Sequence, residues 1–131
     1  MDIPDLDPIR CIIAEAHGLA SVSVVRADGT PHSSLVSAGV LDHPRTGRSV
    51  VGFVTASSVK LKNLRARPAT SILWRSGWRW AGVEGSSELI GPDDPVDGID
   101  AEGLRLLLRA VFTAAGGTHD DWDAYDRAMQ M

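Results

Sequence analysis

Between two groups of strand-like segments the chain carries a single helix, and that placement constrains the fold more than any other feature. Residues 50–65, Val-Val-Gly-Phe-Val-Thr-Ala-Ser-Ser-Val-Lys-Leu-Lys-Asn-Leu-Arg, begin as a β-branched run and end as a polar, basic helix start. Ahead of them, residues 19–26 have strand composition, Ala27-Asp-Gly-Thr-Pro31 reads as a hairpin turn, and a second strand returns over His32 to Leu41. Beyond them, Pro68 restricts the residue before it, so the helix ends by Arg67. Ala69 to Arg75 and Trp78 to Ile90 then form two more strands joined at Ser76-Gly77, with a bend or bulge expected at Gly82 and Gly85. Five strands in hairpin order around one short helix do not make a doubly wound sheet, which needs a long crossover between parallel neighbours. They predict a mainly β fold with flanking helices, an antiparallel barrel that closes to remove its edges.

The flanks are helical. Asp7 reads as an N-cap with Pro8 at the first helical position, and Ile9, Ile12, Ile13 and Ala16 share one face before Gly18. Gly91-Pro-Asp-Asp-Pro-Val-Asp-Gly98 has linker composition. A helix over 100–115 presents Leu104, Leu107, Leu108, Val111 and Phe112, and a last one over 121–131 carries Trp122, Tyr125 and Met129 at intervals of three and four. The reading is one domain over 1–131, with the barrel in 19–90.

Hydrophobic residues at 44% and charged residues at 23% suit a globular chain of one core. A net charge of −4 argues against nucleic acid as the main partner, since a phosphate backbone calls for a basic stripe. Cys11 is the single cysteine, so no intrachain disulfide forms and a reducing cytoplasm is expected. The acidic amino terminus lacks the basic region of a secretory leader, and no apolar run approaches membrane-spanning length.

With the strand ending near Thr55 and Ser58 as cap, Lys60 falls at the second helical position, where the helix dipole is already positive. Free amides, the hydroxyls of Thr55, Ser57 and Ser58, and the amines of Lys60 and Lys62 would then cradle a phosphate. An ordinary solvated helix start fits the same residues. Trp74, Trp78 and Trp80 crowd one hairpin, interleaved with Arg75 and Arg79. They suit a subunit interface, a wall for a flat ligand or the core itself; a stacking face for RNA is opposed by the acidic balance and by Glu84 and Glu88. His17, His32, His43 and His119 are scattered and no zinc spacing is present, so no metal site is expected, and His119 among Asp120, Asp121 and Asp123 reads as capping and turn chemistry. The chain has no Gly-x-Ser-x-Gly elbow, no dinucleotide fingerprint and no phosphate loop.

Gly29-Thr-Pro-His-Ser-Ser34, Thr55 with Lys60-Leu-Lys-Asn-Leu-Arg65, Arg67-Pro-Ala-Thr-Ser-Ile72, Val83-Glu-Gly85 and Gly117-Thr-His-Asp-Asp-Trp-Asp-Ala-Tyr-Asp-Arg127 resemble the split β-barrel flavin/deazaflavin oxidoreductase superfamily. Within it they are most similar to the actinobacterial group related to pyridoxamine 5'-phosphate oxidase that uses the deazaflavin coenzyme F420. The resemblance implies a homodimer with two cofactor sites at the interface. It makes Thr55, Ser57, Lys60 and Lys62 phosphate ligands with Asn63 supporting the turn, sets Ser37 and Ala38 near the ring, and brings Trp78 or Trp80 across the interface. Lys62 stands where relatives often have arginine, so a bidentate fork is lost.

The activity so implied is hydride transfer between the deazaflavin and a small organic acceptor, with the proton from solvent or His32. An FMN-dependent oxidoreductase, and a non-catalytic carrier of a flavin or tetrapyrrole, are the alternatives. Relatives continue past the last helix into a final β-strand, whereas this sequence stops at Met131. Its absence would leave an unpaired edge within the fold, so that strand is expected beyond Met131.

Overall fold

The computed structural model describes residues 5–129, so the first four residues of the acidic amino terminus and the end of the expected last helix, 130–131, lie outside the described residues. Five antiparallel strands form one curled half-barrel in the order β3-β2-β1-β4-β5: β1 (Leu19–Val25), β2 (Pro31–Asp42), β3 (Ser49–Phe53), β4 (Ala69–Ser76) and β5 (Arg79–Ser86). The fold class read from the sequence is the one observed. Closure differs: helix α2 (Ser58–Ala66) carries the chain from β3 to the far side of β1, so β4 pairs with β1, and β3 and β5 remain the edges of the sheet among the described residues.

The curl comes from β2. Its residues from Pro31 to Ser37 pair with β1, and those from Ala38 to Asp42 pair with β3. Period-two alternation then sends Ala20, Val22 and Val24 of β1, Ala38 and Val40 of β2, and Ile72 and Trp74 of β4 into the core, where Ile12 and Ile13 and Leu64 of α2 meet them. Trp74 is completely buried, and its indole N–H donates to the Ala38 carbonyl at 3.0 Å, so no polar atom of that ring is stranded.

Two local expectations shift. The fifth strand ends at Ser86 and its register with β4 runs unbroken from Ala69↔Ser86 to Ser76↔Arg79, so neither Gly82 nor Gly85 makes a bulge. The tight connection is Gly77-Trp78, with Gly77 at φ +60°. At the amino end, Asp7 is already inside a short 3-10 turn (Asp7–Ile9), and its carboxylate takes Arg10 at 2.9 Å rather than capping backbone; helix α1 (Arg10–Glu15) follows.

The segment after β5 returns along the outside of α2. Ser87 donates its amide to Pro68, Glu88 meets His43 at 3.2 Å, and Asp94 accepts two bonds from Arg65 at 2.8 and 2.6 Å. Helix α3 (Ala101–Ala114), capped by Asp100 through the Gly103 amide at 2.8 Å, lies on β2 and β3. Its end comes so close that a Cβ at Gly39 would collide with the Ala114 carbonyl, and one at Gly18 with the Ala115 carbonyl. Helix α4 (Trp122–Met129) docks on α3: Tyr125 donates to the Leu108 carbonyl at 2.9 Å, Arg109 lies 5.2 Å from the Trp122 ring centre, and Asp126 accepts from Arg105 and Arg109. Hydrogen bonding from Arg109 holds the Asp126 carboxyl below the usual carboxylate range, with Arg105 adding to it against a desolvation that acts the other way.

Two outcomes follow from this packing. Gly39→Ala should cost about 1–3 kcal/mol in urea unfolding, because the helix backbone it strikes cannot swing away as a flexible side chain could. The depressed carboxyl of Asp126 contributes stability above the ordinary carboxylate range that is lost as pH falls through its lower folded value. The thermal midpoint should therefore drop as the medium is acidified below about pH 4, and Asp126→Asn should flatten that part of the profile.

Candidate functional site

The start of α2 is built by two serine-threonine contacts. Ser57 is extended at φ −68°, ψ 112°, and its Oγ accepts the Lys60 amide at 3.3 Å; Thr55 Oγ1 in turn accepts the Ser57 amide at 3.2 Å. The cap is thus one residue earlier than the sequence suggests, and Ser58 becomes the first helical residue. Moving the cap places Lys60 third in the helix, on the face of Asn63 and Leu64 at i+3 and i+4, and that face is the buried one. Lys60 is 7% exposed and Asn63 8%, whereas Ser58 and Lys62 are exposed. The two lysines of the expected cradle therefore separate, one inward and one outward.

Lys60 has no carboxylate or hydrogen-bond acceptor at its amine among the described residues, yet that nitrogen is not sealed from solvent. Its stem is packed and its tip is open, as in a snorkelling lysine. The amides of Ser58 and Val59 lie in the first turn, where the helix offers them no internal partner. A packed cation beside unpaired amides at the positive end of a helix favours a bound anion. Asn63 plays the supporting part: its Oδ1 accepts from Arg67 at 3.0 Å, and Arg67 Nε donates to the Val25 carbonyl at 3.0 Å, which clamps the last turn of α2 to the end of β1.

Ser37 and Ala38 fall on opposite faces of β2. Ala38 is fully buried, its amide donates to Gly18 at 2.8 Å and its carbonyl takes the Trp74 indole, so it has neither a side chain nor a free backbone group to offer a ring. Ser37 is exposed on the outer face, at the point where β3 has just ended. That face is open and flat. One row across four strands reads Leu35, Ser21, Leu73, Gly82, and the next reads Ser33, Ser23, Ser71, Glu84. Leu35 at 69% and Trp80 at 65% exposure leave an apolar surface without cover, and Trp78 at the hairpin tip is 100% exposed. Of the three clustered indoles, then, Trp74 is core and Trp78 and Trp80 are surface.

Along the sheet β2 and β5 are three strand spacings apart, about 14 Å, with β1 and β4 between them. His32 lies half-buried on the inner face opposite Val24, away from the outer rows. Among the described residues no group of three or more His, Cys, Asp or Glu side chains is placed to hold a metal ion, and no helix is long and apolar enough to cross a membrane. Three features escaped the sequence reading: the inward turn of Lys60, the clamp of Asn63 and Arg67, and the outer leucines. Lys60 sharing a helical face with Leu64 is the one signal that could have revealed the first.

No family model matches the sequence. In structure the chain is similar to the conserved hypothetical protein Rv2991 from Mycobacterium tuberculosis, at 20% identity over 97% of this chain and 74% of that one, with a TM-score of 0.63. It also aligns with the protein Atu2129, of unknown function, from Agrobacterium tumefaciens str. C58, at 15% identity over 72% of this chain and 44% of that one, with a TM-score of 0.47. The first likeness shows the fold, a curled antiparallel half-barrel of the split-barrel kind.

Proposed function

We propose that this chain is a split β-barrel oxidoreductase that binds a phosphate-bearing flavin or deazaflavin, coenzyme F420 in the first instance, at the start of α2. The observation that carries the reading is Lys60: nine-tenths buried, with no acid to neutralise it among the described residues. Its packed stem fixes an amine whose tip is open, and a phosphate supplies the counter-charge that no acid of the described residues provides. Ser57 and Thr55 hold the first turn in shape for it, and the free amides of Ser58 and Val59 add donors. Lys62, exposed on the other side, contributes long-range attraction rather than a contact.

The ring needs a flat wall, and the outer face supplies one in its serines and Gly82. Cover for that ring comes from a second copy, which brings Trp78 or Trp80 across the interface. A homodimer that buries Leu35, Leu73 and Trp80 accounts for the open apolar face. Bound reduced deazaflavin supplies a hydride for an electron-poor double bond or a similar small acceptor. The chain's own residues bind, orient and exclude water, and the position of His32 on the inner face favours solvent as the proton source. FMN carries the same phosphate handle, and a carrier without turnover would use the same groove; comparative binding followed by an acceptor screen separates the three.

In tryptophan-quenching titrations with F420 and with FMN, Lys60→Ala should weaken the preferred cofactor roughly ten- to a hundredfold, and Lys62→Ala less than threefold, with the fold intact. An unchanged dissociation constant in Lys60→Ala sinks the phosphate assignment. Leu35→Asp with Trp80→Ala should move sedimentation from dimer to monomer, and an unmoved profile would return the outer face to bare surface.

A further inference from the structure

We infer that the outer face of the sheet is self-complementary and seats a second copy of this chain, with Arg75 of each copy against Glu84 of the other; this rests on the homodimer reading of that face. Strand alternation sends the side chains of β1, β4, β5 and the first half of β2 alternately inward and outward. Among the described residues, Arg75 and Glu84 are the two charged side chains that it sends to the outer face of these strands. Both are exposed, and neither has an ion-pair partner among the described residues. Arg79 differs: alternation turns it the other way, and it meets Glu15. Between and beside the two free charges the exposed Leu19, Leu35, Leu73 and Trp80 leave apolar surface. A patch of this kind, with one free cation and one free anion, fits a partner that carries the same two charges in reverse order. The chain itself is such a partner.

The register says how the copies meet. Leu35, Ser21, Leu73 and Gly82 form one row across the four strands. Arg75 and Trp80, paired across β4 and β5, lie two residues to one side of that row, and Ser71 and Glu84, likewise paired, lie two residues to the other, about 7 Å each way. A two-fold axis laid along the row, between the facing sheets, turns the strands of one copy end for end. The row then faces itself, leucine against leucine, and the Arg75 and Trp80 pair of each copy lies over the Ser71 and Glu84 pair of the other. Arg75 is thereby offset from Glu84 of the other copy by one strand spacing, about 5 Å, which a long arginine side chain spans. An axis along the strands sets each row against itself and leaves both charges without a partner. Gly82 suits the same packing. The Trp80 indole comes within 3.8 Å of where a Cβ at Gly82 would stand, so the ring leans toward the central row. The symmetry forms the ion pair twice, once on each side of the axis.

The test uses the full chain as wild type, Arg75→Glu, Glu84→Arg and the double reversal, with sedimentation over a range of protein concentrations at low and high salt. Both side chains are exposed, so circular dichroism should show the same fold in all four. Each single reversal sets like charges together twice in the dimer and should raise its dissociation constant roughly ten- to a hundredfold. The double reversal restores opposite charges with their order exchanged and should return the constant to within about threefold of wild type, the mark of a direct pair. High salt should weaken wild type and narrow its gap to the single variants. If the single variants dimerise as well as wild type, or the double reversal dimerises no better than they do, the pairing of Arg75 with Glu84 falls. Loss of the dimer in Leu35→Asp with Trp80→Ala would then keep the face as the interface without the pair. If wild type is monomeric throughout, the homodimer reading falls and this inference with it.

Discussion

The half-barrel turns on the point where β2 changes partner. Up to Ser37 the strand belongs to β1; from Ala38 onward it belongs to β3, and at the junction every group is taken. The Ala38 amide donates to Gly18, its carbonyl accepts the buried indole of Trp74, and Gly39 lets the end of α3 close down on the strand. Those contacts lock the bend from both faces. A bulky residue at either position would push α3 away or strand the indole N–H, and the sheet would lose the curl that gives it an inner and an outer side. The inner side then holds the core and the roots of α2, and the outer side carries the serine rows.

From that bend the candidate site follows by chain geometry. β3 stops at Phe53, three residues cross to the cap at Ser57, and α2 lies on β1 until the bond from Arg67 to Val25 ends it. The helix is anchored at its last turn by Asn63 and Arg67 and at its core by Leu64, leaving its first turn to be organised by Ser57 and Thr55 alone. A first turn held by two hydroxyls, with amides free of helical partners, would receive the proposed anion without rearranging. Preorganisation of that kind lets a small number of contacts bind tightly, because little ordering remains to be done.

How much of this the sequence disclosed depends on the range of the interaction. The five strands and the one internal helix follow from period and turn residues, all local, and they stand close to where expected, the fifth strand shorter than its composition suggests. The order of the strands does not, since the pairing of β4 with β1 is decided by where α2 lies, a tertiary matter. The one-residue slip from Ser58 to Ser57 has the same origin. Both serines cap well, and the choice between them is made by burying Leu64, which turns Lys60 inward with it. The tryptophans divide for a similar reason: strand alternation puts Trp74 and Trp80 on opposite faces once β4 and β5 are paired as Trp74↔Ala81 and Arg75↔Trp80, and nothing in the run of residues 74–80 distinguishes them.

The charge distribution gives the site its meaning. The sequence has 17 acidic residues against 13 lysines and arginines, so counter-charges are plentiful. They are used on arginines: Asp7 takes Arg10, Glu15 takes Arg79, Asp94 takes Arg65, Glu102 takes Arg105, and Asp126 joins Arg105 to Arg109. All of these pairs lie at or near the surface, where an ion pair contributes little to stability. Lys60, the most deeply packed of the basic residues, has none among the described residues, although a carboxylate beside it would cost nothing in composition. An internal acid there would neutralise the lysine and repel an incoming phosphate alike. Leaving the cation without an internal partner keeps its open amine available, and the proposed cofactor phosphate would stabilise the folded chain on binding by giving that charge its counter-ion.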